Sequence, residues 1–162
     1  MIDVVAMREG HWPDVSRIYA EGLATGNATF ETEVPSWDRW DASHLRGHRL
    51  VAVRDGAVVG WVAVSAVSVR AVYAGVVEVS VYVADVARGQ GIGTLLLDRV
   101  AASTEADGIW TIQAAVFPEN AASVRAHERA GFVVVGRRKR LAKLNGAWRD
   151  VLLLERRSDA DA

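Results

Sequence analysis

The sequence predicts a mixed α/β domain in which about seven strands form one mixed sheet and about four helices flank it. Three observations carry this. Runs of β-branched residues of strand length alternate with segments of helical apolar spacing. Two turn signals, Asp55-Gly56 and Asn145-Gly146, sit between such runs and make the flanking strands antiparallel neighbours. Longer helical segments separate other strands, so a purely parallel sheet is disfavoured.

Element by element, Ile2 to Met7 reads as a short strand. Pro13 suits the first turn of a helix that carries Val15, Ile18, Tyr19 and Leu23 on one side. Gly26 to Pro35 is polar and turn-rich. Ser36 then caps a short helix with Trp37, Trp40 and Leu45 on one face. Leu50 to Arg54 and Val58 to Val67 form the first hairpin, and Val76 to Val83 is a further strand. Leu95, Leu96, Val100 and Ala101 mark a helix that ends near Gly108, after which Trp110 to Val116 returns as a strand. A short helix over Ala121 to Ala130 closes at Gly131, and Val133 to Leu144 pairs with Trp148 to Leu154. Residues 1–157 make one domain, and Ser158 to Ala162 is expected to fray into a disordered tail.

Composition narrows the function. With 162 residues, 51% of them hydrophobic, the chain can bury one sizeable core. A net charge of -1 provides no basic field for nucleic acid or an anionic membrane, so the expected partner is a small molecule. The absence of cysteine excludes disulfides, thiolate metal sites and acyl transfer through a cysteine thioester. Acidic residues in Met1 to Glu9 stand where a signal peptide needs a basic and then apolar run, and no apolar stretch reaches the roughly 18 residues of a membrane span. A cytoplasmic location is the expectation. His11, His44 and His48 show no metal-ligand spacing, and no metal is expected.

The most informative segment is Arg88-Gly89-Gln90-Gly91-Ile92-Gly93-Thr94, between a β-branched strand and an apolar helix. Three glycines let the backbone turn sharply and point successive N–H groups inward, and the next helix adds the positive end of its dipole. Such a turn holds a pyrophosphate, or is simply a tight strand-to-helix connection. A nucleoside-triphosphate loop needs Lys and Ser/Thr after its last glycine, where this chain has Thr94-Leu95. A dinucleotide site wants Gly-x-Gly-x-x-Gly in the first strand-turn-helix, and here the spacing is Gly-x-Gly-x-Gly halfway along the chain.

Arg88, Gly91 and Gly93 match Arg/Gln-x-x-Gly-x-Gly/Ala, and in this the chain resembles the GNAT N-acetyltransferase superfamily. Over nearly its whole length it is similar to the phosphinothricin and methionine sulfoximine N-acetyltransferases, including the arsinothricin branch. The marks are Thr29-Phe30-Glu31-Thr32, Glu78 to Val83, the glycine turn, Asn120, His127 to Phe132, and Gly146-Ala147-Trp148-Arg149-Asp150. The resemblance implies the GNAT fold, a sheet splayed at an acetyl-CoA cleft. It assigns the pantetheine to the backbone of Val81, Tyr82 and Val83, the pyrophosphate to Arg88, Gly89, Gln90, Gly91, Ile92, Gly93 and Thr94, and a further cofactor contact to Asn120. Homodimerisation is usual in that family.

The chemistry asked of such a site is aminolysis of a thioester, which requires a neutral amine and hence a proton acceptor. Glu78 is the candidate. Strand alternation puts it on one face with Ser80 and Tyr82, while Val79, Val81 and Val83 face the other way into a core. The bland alternative is an edge glutamate facing water. Backbone N–H groups of Val81 to Val83 are the expected oxyanion donors. His127 stands where many superfamily members carry a tyrosine proposed as general acid, and is assigned as acid or substrate contact. The acceptor is expected to be a small zwitterion of phosphinothricin, methionine sulfoximine or arsinothricin type, met by Phe30, Arg70, Tyr73, Glu78, Ser80 and Trp148. Val67-Ser68 departs from the relatives, many of which carry an aromatic followed by Arg or Lys there. Another amine therefore stays open as acceptor, whether polyamine, aminoglycoside or protein N-terminus, as does a non-catalytic acyl-CoA sensor. Arg137-Arg138-Lys139-Arg140 reads as a solvated face.

Overall fold

Asp55 and Gly56 both adopt positive φ (52° and 79°) and close the hairpin of β2 (Leu50–Arg54) and β3 (Ala57–Ala66), as the turn chemistry requires. In the computed structural model, which describes residues 1–159, that hairpin lies within one seven-stranded sheet. β1 (Ile2–Ala6) precedes it, and β4 (Val76–Val83), β5 (Thr111–Val116), β6 (Val133–Leu144) and β7 (Ala147–Arg157) follow. Their order across the sheet is β1-β2-β3-β4-β5-β7-β6. Every pairing is antiparallel except β4 with β5.

Four helices cover the two faces. In α1 (Trp12–Ala24), Pro13 occupies the first turn, and Val15, Ile18 and Gly22 are buried. α1 lies on the face carrying Trp61 and Tyr82. There Tyr19 packs 4.8 Å from Tyr82, and a Cβ on Gly22 would come within 2.5 Å of the Tyr82 ring, so only glycine admits this approach. α3 (Ile92–Ala106) covers the opposite face, with Leu96 and Ile92 against Gly60 of β3. α4 (Ala121–Arg129) packs beside α3, its Ala126 next to Gly93. Strand alternation thus sends Val77 and Val79 into the core and leaves Glu78, Ser80 and Tyr82 on the α1 side.

α2 (Trp37–Ser43) is capped as expected, the Ser36 hydroxyl accepting from the Arg39 N–H at 3.3 Å. Arg49, 8% exposed, holds this helix and its following loop to β2. It donates to the Asp41 carboxylate (2.5 Å) and to the carbonyls of Leu45 (2.7 Å), Asp41 (2.9 Å) and His44 (3.1 Å), and lies over the Trp40 ring. His48, at φ 65°, ties the same loop to α3 through Ser103 (2.6 Å) and Asp107 (3.0 Å).

Two differences from the expected elements have local causes. Residues between Arg138 and Ala142 leave the β6/β7 ladder as a bulge. Asp150 fixes it by accepting from the Arg140 N–H and the Arg137 guanidinium, both at 2.8 Å. These bonds hold the Asp150 carboxyl below its ordinary value. The basic run is exposed, as a solvated face should be. β7 also runs on to Arg157, and Ser158, expected to fray, donates its N–H to the Trp110 carbonyl at 2.7 Å. Residues 160–162 of the expected tail lie outside the described range. Among the described residues, no helix is long and apolar enough to cross a membrane.

Removing Arg49 takes a buried guanidinium and its four hydrogen bonds from the partly buried Asp41 carboxylate and the three carbonyls. Arg49→Met should destabilise the fold by about 3 kcal/mol, measured by urea unfolding with the m-value unchanged.

Candidate active site

β4 and β5 run together for only three residue pairs, Val76 with Thr111, Val77 with Ile112 and Glu78 with Gln113. β3 continues to hold β4 as far as Val83, and β7 holds β5 as far as Val116, so each strand keeps one neighbour while the two part. From Val79 to Val83 the β5 side of β4 has no strand partner among the described residues. Its backbone donors and acceptors there need something else to bind. The opening is a cleft of about 740 Å³ lined by both parted strands, the glycine turn and α4.

At the cleft's outer end Gly89 and Gly91 both have positive φ (75° and 80°), and Gly91 caps α3. Val81, Tyr82, Val83, Arg88, Gly89, Gly91, Ile92, Gly93 and Thr94 all line the cleft, together with Arg125 and Arg129 of α4, which sequence reasoning missed. Arg88 is half exposed and paired with Asp85 at 2.8 Å. Gln90 does not line the cleft, because its side chain turns outward to accept from Arg54 of the β2–β3 hairpin. The Thr94 hydroxyl donates to the Ala126 carbonyl (3.3 Å) and so helps hold α4 in place. These features fit a long, phosphate-bearing thioester. The α3 N-terminus with Arg88, Arg125 and Arg129 suits the phosphates, and the free β4 edge suits an amide-containing arm.

Glu78 stands where the strands separate. It is partly buried, accepts from Gln113 Nε2 at 3.1 Å, and borders both the main cleft and an adjoining cavity of about 690 Å³. Thr29, Glu31, Ser80 and Tyr82 border both spaces too. The Tyr82 ring stacks on Trp61 at 4.9 Å, and burial, with a smaller contribution from Tyr19, pushes its phenol far above the ordinary range. It stays protonated. The adjoining cavity is also lined by Glu33, Arg39, Trp40 and His44.

His127, 3% exposed, is set edge-on to Phe132, and its Nδ1 lies 2.7 Å from the Ser123 carbonyl. A carbonyl only accepts, so Nδ1 carries the proton. Burial lowers the imidazole pKa below its ordinary value, opposed in part by that hydrogen bond. The neutral ring therefore carries its proton on Nδ1 and a lone pair on Nε2. Asn120 caps α4 by accepting from the Ser123 N–H (3.2 Å) and donates to the Asn27 carbonyl (3.2 Å) on the cleft wall.

Of the acceptor residues expected from sequence, Phe30, Glu78 and Ser80 meet at the cleft, Phe30 edge-on to Phe117 at 5.0 Å. Arg70 and Tyr73 do not join them. They lie in the exposed β3–β4 connection with the Arg70 guanidinium 5.4 Å over the Tyr73 ring, and border neither cavity. Trp148 points outward near the tip of the β6/β7 hairpin with Lys143 over its ring at 5.0 Å, while its neighbour Arg149 points inward. Strand alternation sends the two in opposite directions, and the sequence does not say which faces the cleft.

Residues 9–132 match the Acetyltransferase (GNAT) family. The chain belongs to the GNAT acetyltransferase family. It is an acetyl-CoA-dependent N-acetyltransferase. A phosphinothricin N-acetyltransferase of Alcaligenes faecalis is 34% identical over 94% of this chain and 81% of its own length. An L-methionine sulfoximine/L-methionine sulfone acetyltransferase of Pseudomonas paraeruginosa is 32% identical over 88% of this chain and 87% of its own. Among solved structures, a phosphinothricin acetyltransferase from Sinorhizobium meliloti in complex with AcCoA superposes with a TM-score of 0.87 at 28% identity, covering 96% of this chain and 88% of that one. Of the phosphinothricin, methionine sulfoximine and arsinothricin branch expected from the sequence, the first two names are those that these relatives carry.

Two predictions follow from the neighbours of Glu78 and His127. Gln113→Ala frees the Glu78 carboxylate to rotate and should lower kcat by about tenfold, with the KM for acetyl-CoA unchanged in steady-state kinetics. His127 and His44 both have folded-state pKa values lowered by burial. Below about pH 6.5 the unfolded chain therefore takes up protons that the folded chain refuses, and stability falls as pH drops through that value. Denaturation at pH 7.5 and 5.5 should show a smaller loss in His127→Gln than in the parent enzyme, with the His44 part remaining.

Proposed function

We propose that this acetyltransferase acetylates the α-amino group of a small amino-acid-like acceptor of the phosphinothricin or methionine sulfoximine type, with Glu78 as the proton acceptor. One observation carries the reading: Glu78 borders both the cofactor cleft and the adjoining cavity, at the point where β4 leaves β5. The names of the two curated relatives support the acceptor class.

Acetyl-CoA supplies an activated acetyl thioester. Glu78 takes the proton that the attacking amine must lose, directly or through a water, and the Gln113 amide keeps its carboxylate aimed. Backbone N–H groups on the free edge of β4 between Val79 and Val83 stabilise the negative charge that builds on the acetyl oxygen. The amine gains the acetyl group as the C–S bond breaks, and the thiol leaves as a thiolate of pKa about 8.5 or the thiol itself, so its departure needs less help than the amine does. His127, neutral and with Nε2 open, serves as a relay or substrate contact.

A specific observation favours a second acceptor class. The adjoining cavity is bordered by Glu31, Glu33 and Glu78 against the single guanidinium of Arg39, with His44 held neutral by burial, while Arg70 lies outside it. That balance suits an amine with a neutral or cationic remainder better than a dianion. The proposed working form is a cytoplasmic homodimer. Support for the second copy comes from β6, a twelve-residue edge strand with Val133, Val134, Val135 and Leu141 exposed. Light scattering tests it.

The deciding experiment is an acceptor panel scored by CoA release, containing phosphinothricin, methionine sulfoximine, arsinothricin, methionine, and a diamine. Turnover of the amino acids supports the first reading, and turnover confined to the diamine supports the second. On the best acceptor Glu78→Gln should lower kcat by about 10²- to 10³-fold and His127→Ala by less. Equal or reversed losses across a pH–rate series would remove Glu78 from the base role.

A further inference from the structure

The segment Gly146 to Asp150 stands out in the sequence, and the acetyl-transfer chemistry uses none of it. Its parts do different things. Asn145 and Gly146 turn the hairpin at φ 51° and 82°, Trp148 faces solvent and Asp150 fixes the β6 bulge. Arg149 reaches inward, its side chain 17% exposed. One guanidinium nitrogen donates to the Gly26 carbonyl at 2.8 Å. The other donates to the Asn27 side-chain oxygen at 2.6 Å and lies 3.4 Å from the Glu119 carboxylate. The guanidinium carbon sits 4.0 Å over the Phe117 ring.

Gly26 and Asn27 begin the irregular stretch between α1 and α2. Its own hydrogen bonds are short-range, such as Gly26 N–H to the Leu23 carbonyl and Asn27 N–H to the Thr25 hydroxyl. Long-range ties come from Arg149 and from Asn120, whose side-chain amide donates to the Asn27 carbonyl. Two residues beyond Asn27, Thr29 and then Glu31 border both the cofactor cleft and the acceptor cavity, and Phe30 between them packs on the ring that Arg149 covers. The ties continue the other way as well. Asn120 caps α4 through the Ser123 N–H, and the Ser123 carbonyl accepts a hydrogen bond from His127 Nδ1–H.

We infer that Arg149 is a positioning residue for the acceptor half of the site: it pins residues 26–31 as the wall between cofactor and acceptor, and through Asn27 and Asn120 steadies the helix that carries His127. Arginine suits the task because a planar fork meets two acceptors on successive residues while its flat face lies on Phe117. Lysine keeps the charge but loses the fork. This inference rests on the reading of the cleft as an acetyl-transfer site, so its test includes one readout independent of turnover.

Arg149→Met and Arg149→Lys are compared with the parent enzyme by amide hydrogen exchange and steady-state kinetics. In the Met variant, exchange across residues 26–31 should rise at least tenfold while α3 and β4 stay protected. The acceptor KM should rise about tenfold, and the acetyl-CoA KM should rise by at most about threefold, because the glycine turn and the β4 edge do not depend on Arg149 even though α4 also lines that cleft. The Lys variant should recover only part of the acceptor effect. Unchanged exchange at 26–31, exchange rising equally throughout the sheet, or equal rises in both KM values would each overturn the inference. Absence of turnover with every amine in the parent enzyme would sink the functional reading instead, and the exchange pattern would still decide the role of Arg149.

Discussion

The site depends on one interruption of hydrogen bonding, the parting of β4 from β5 after the Glu78 and Gln113 pair. A strand edge inside a sheet normally completes its ladder with its neighbour, and unpaired buried backbone groups are costly. Here the cost is contained because each strand keeps a full ladder on its other side, β4 with β3 and β5 with β7. What remains is a short row of oriented donors and acceptors, open to a ligand and braced by a sheet. Glu78 lies at the apex, the last residue of β4 still flanked by both strands.

That placement makes the carboxylate rigid and accessible together. Ser65 lies opposite it on β3 and Gln113 beside it on β5, so its backbone cannot move without breaking two ladders. Four residues on, Tyr82 is caught between Trp61 and Tyr19 and closed from above by Gly22, which fixes the α1 side of the strand. On the opposite side Val83 and Gly93 bring α3 and α4 close to the strand end. The glycine turn and the Glu78 carboxylate therefore belong to one rigid unit and keep their separation.

Much of this was legible in the sequence because it is written in local terms. Asp55-Gly56 specifies a hairpin, alternation along Val76 to Val83 sorts core from site, and the glycines after Arg88 specify a turn into a helix. What was not legible depends on register and on long-range pairing. Gln113 meets Glu78 only because the α3 crossover sets those two strands in that register. Arg149 meets Gly26 across 123 positions, and no local pattern announces it. Arg70 and Trp148 carried suitable chemistry at family positions, but where a connection or hairpin tip leads its side chains is fixed by neighbours that spacing does not encode. The same holds for Gln90, whose outward turn follows from Arg54 at the far end of another hairpin.

These two kinds of residue divide the enzyme along its function. The cleft that fits the cofactor is shaped mainly by backbone, in the open β4 edge, the Gly89 and Gly91 turn and the α3 N-terminus, with the Arg88, Arg125 and Arg129 side chains beside it. The adjoining cavity is lined by side chains from the irregular α1–α2 segment and the short helix after it, Glu31 and Glu33 before α2, Arg39 within it and His44 just after it. Irregular segments have no ladder to hold them and need separate anchors. In this chain those anchors are charged side chains reaching from elsewhere, Arg49 under α2 and Arg149 under residues 26–31. On the proposed function, acceptor preference changes through the residues the anchored segments display, while Arg49, Arg149 and the parted strands hold Glu78 and its surroundings in place.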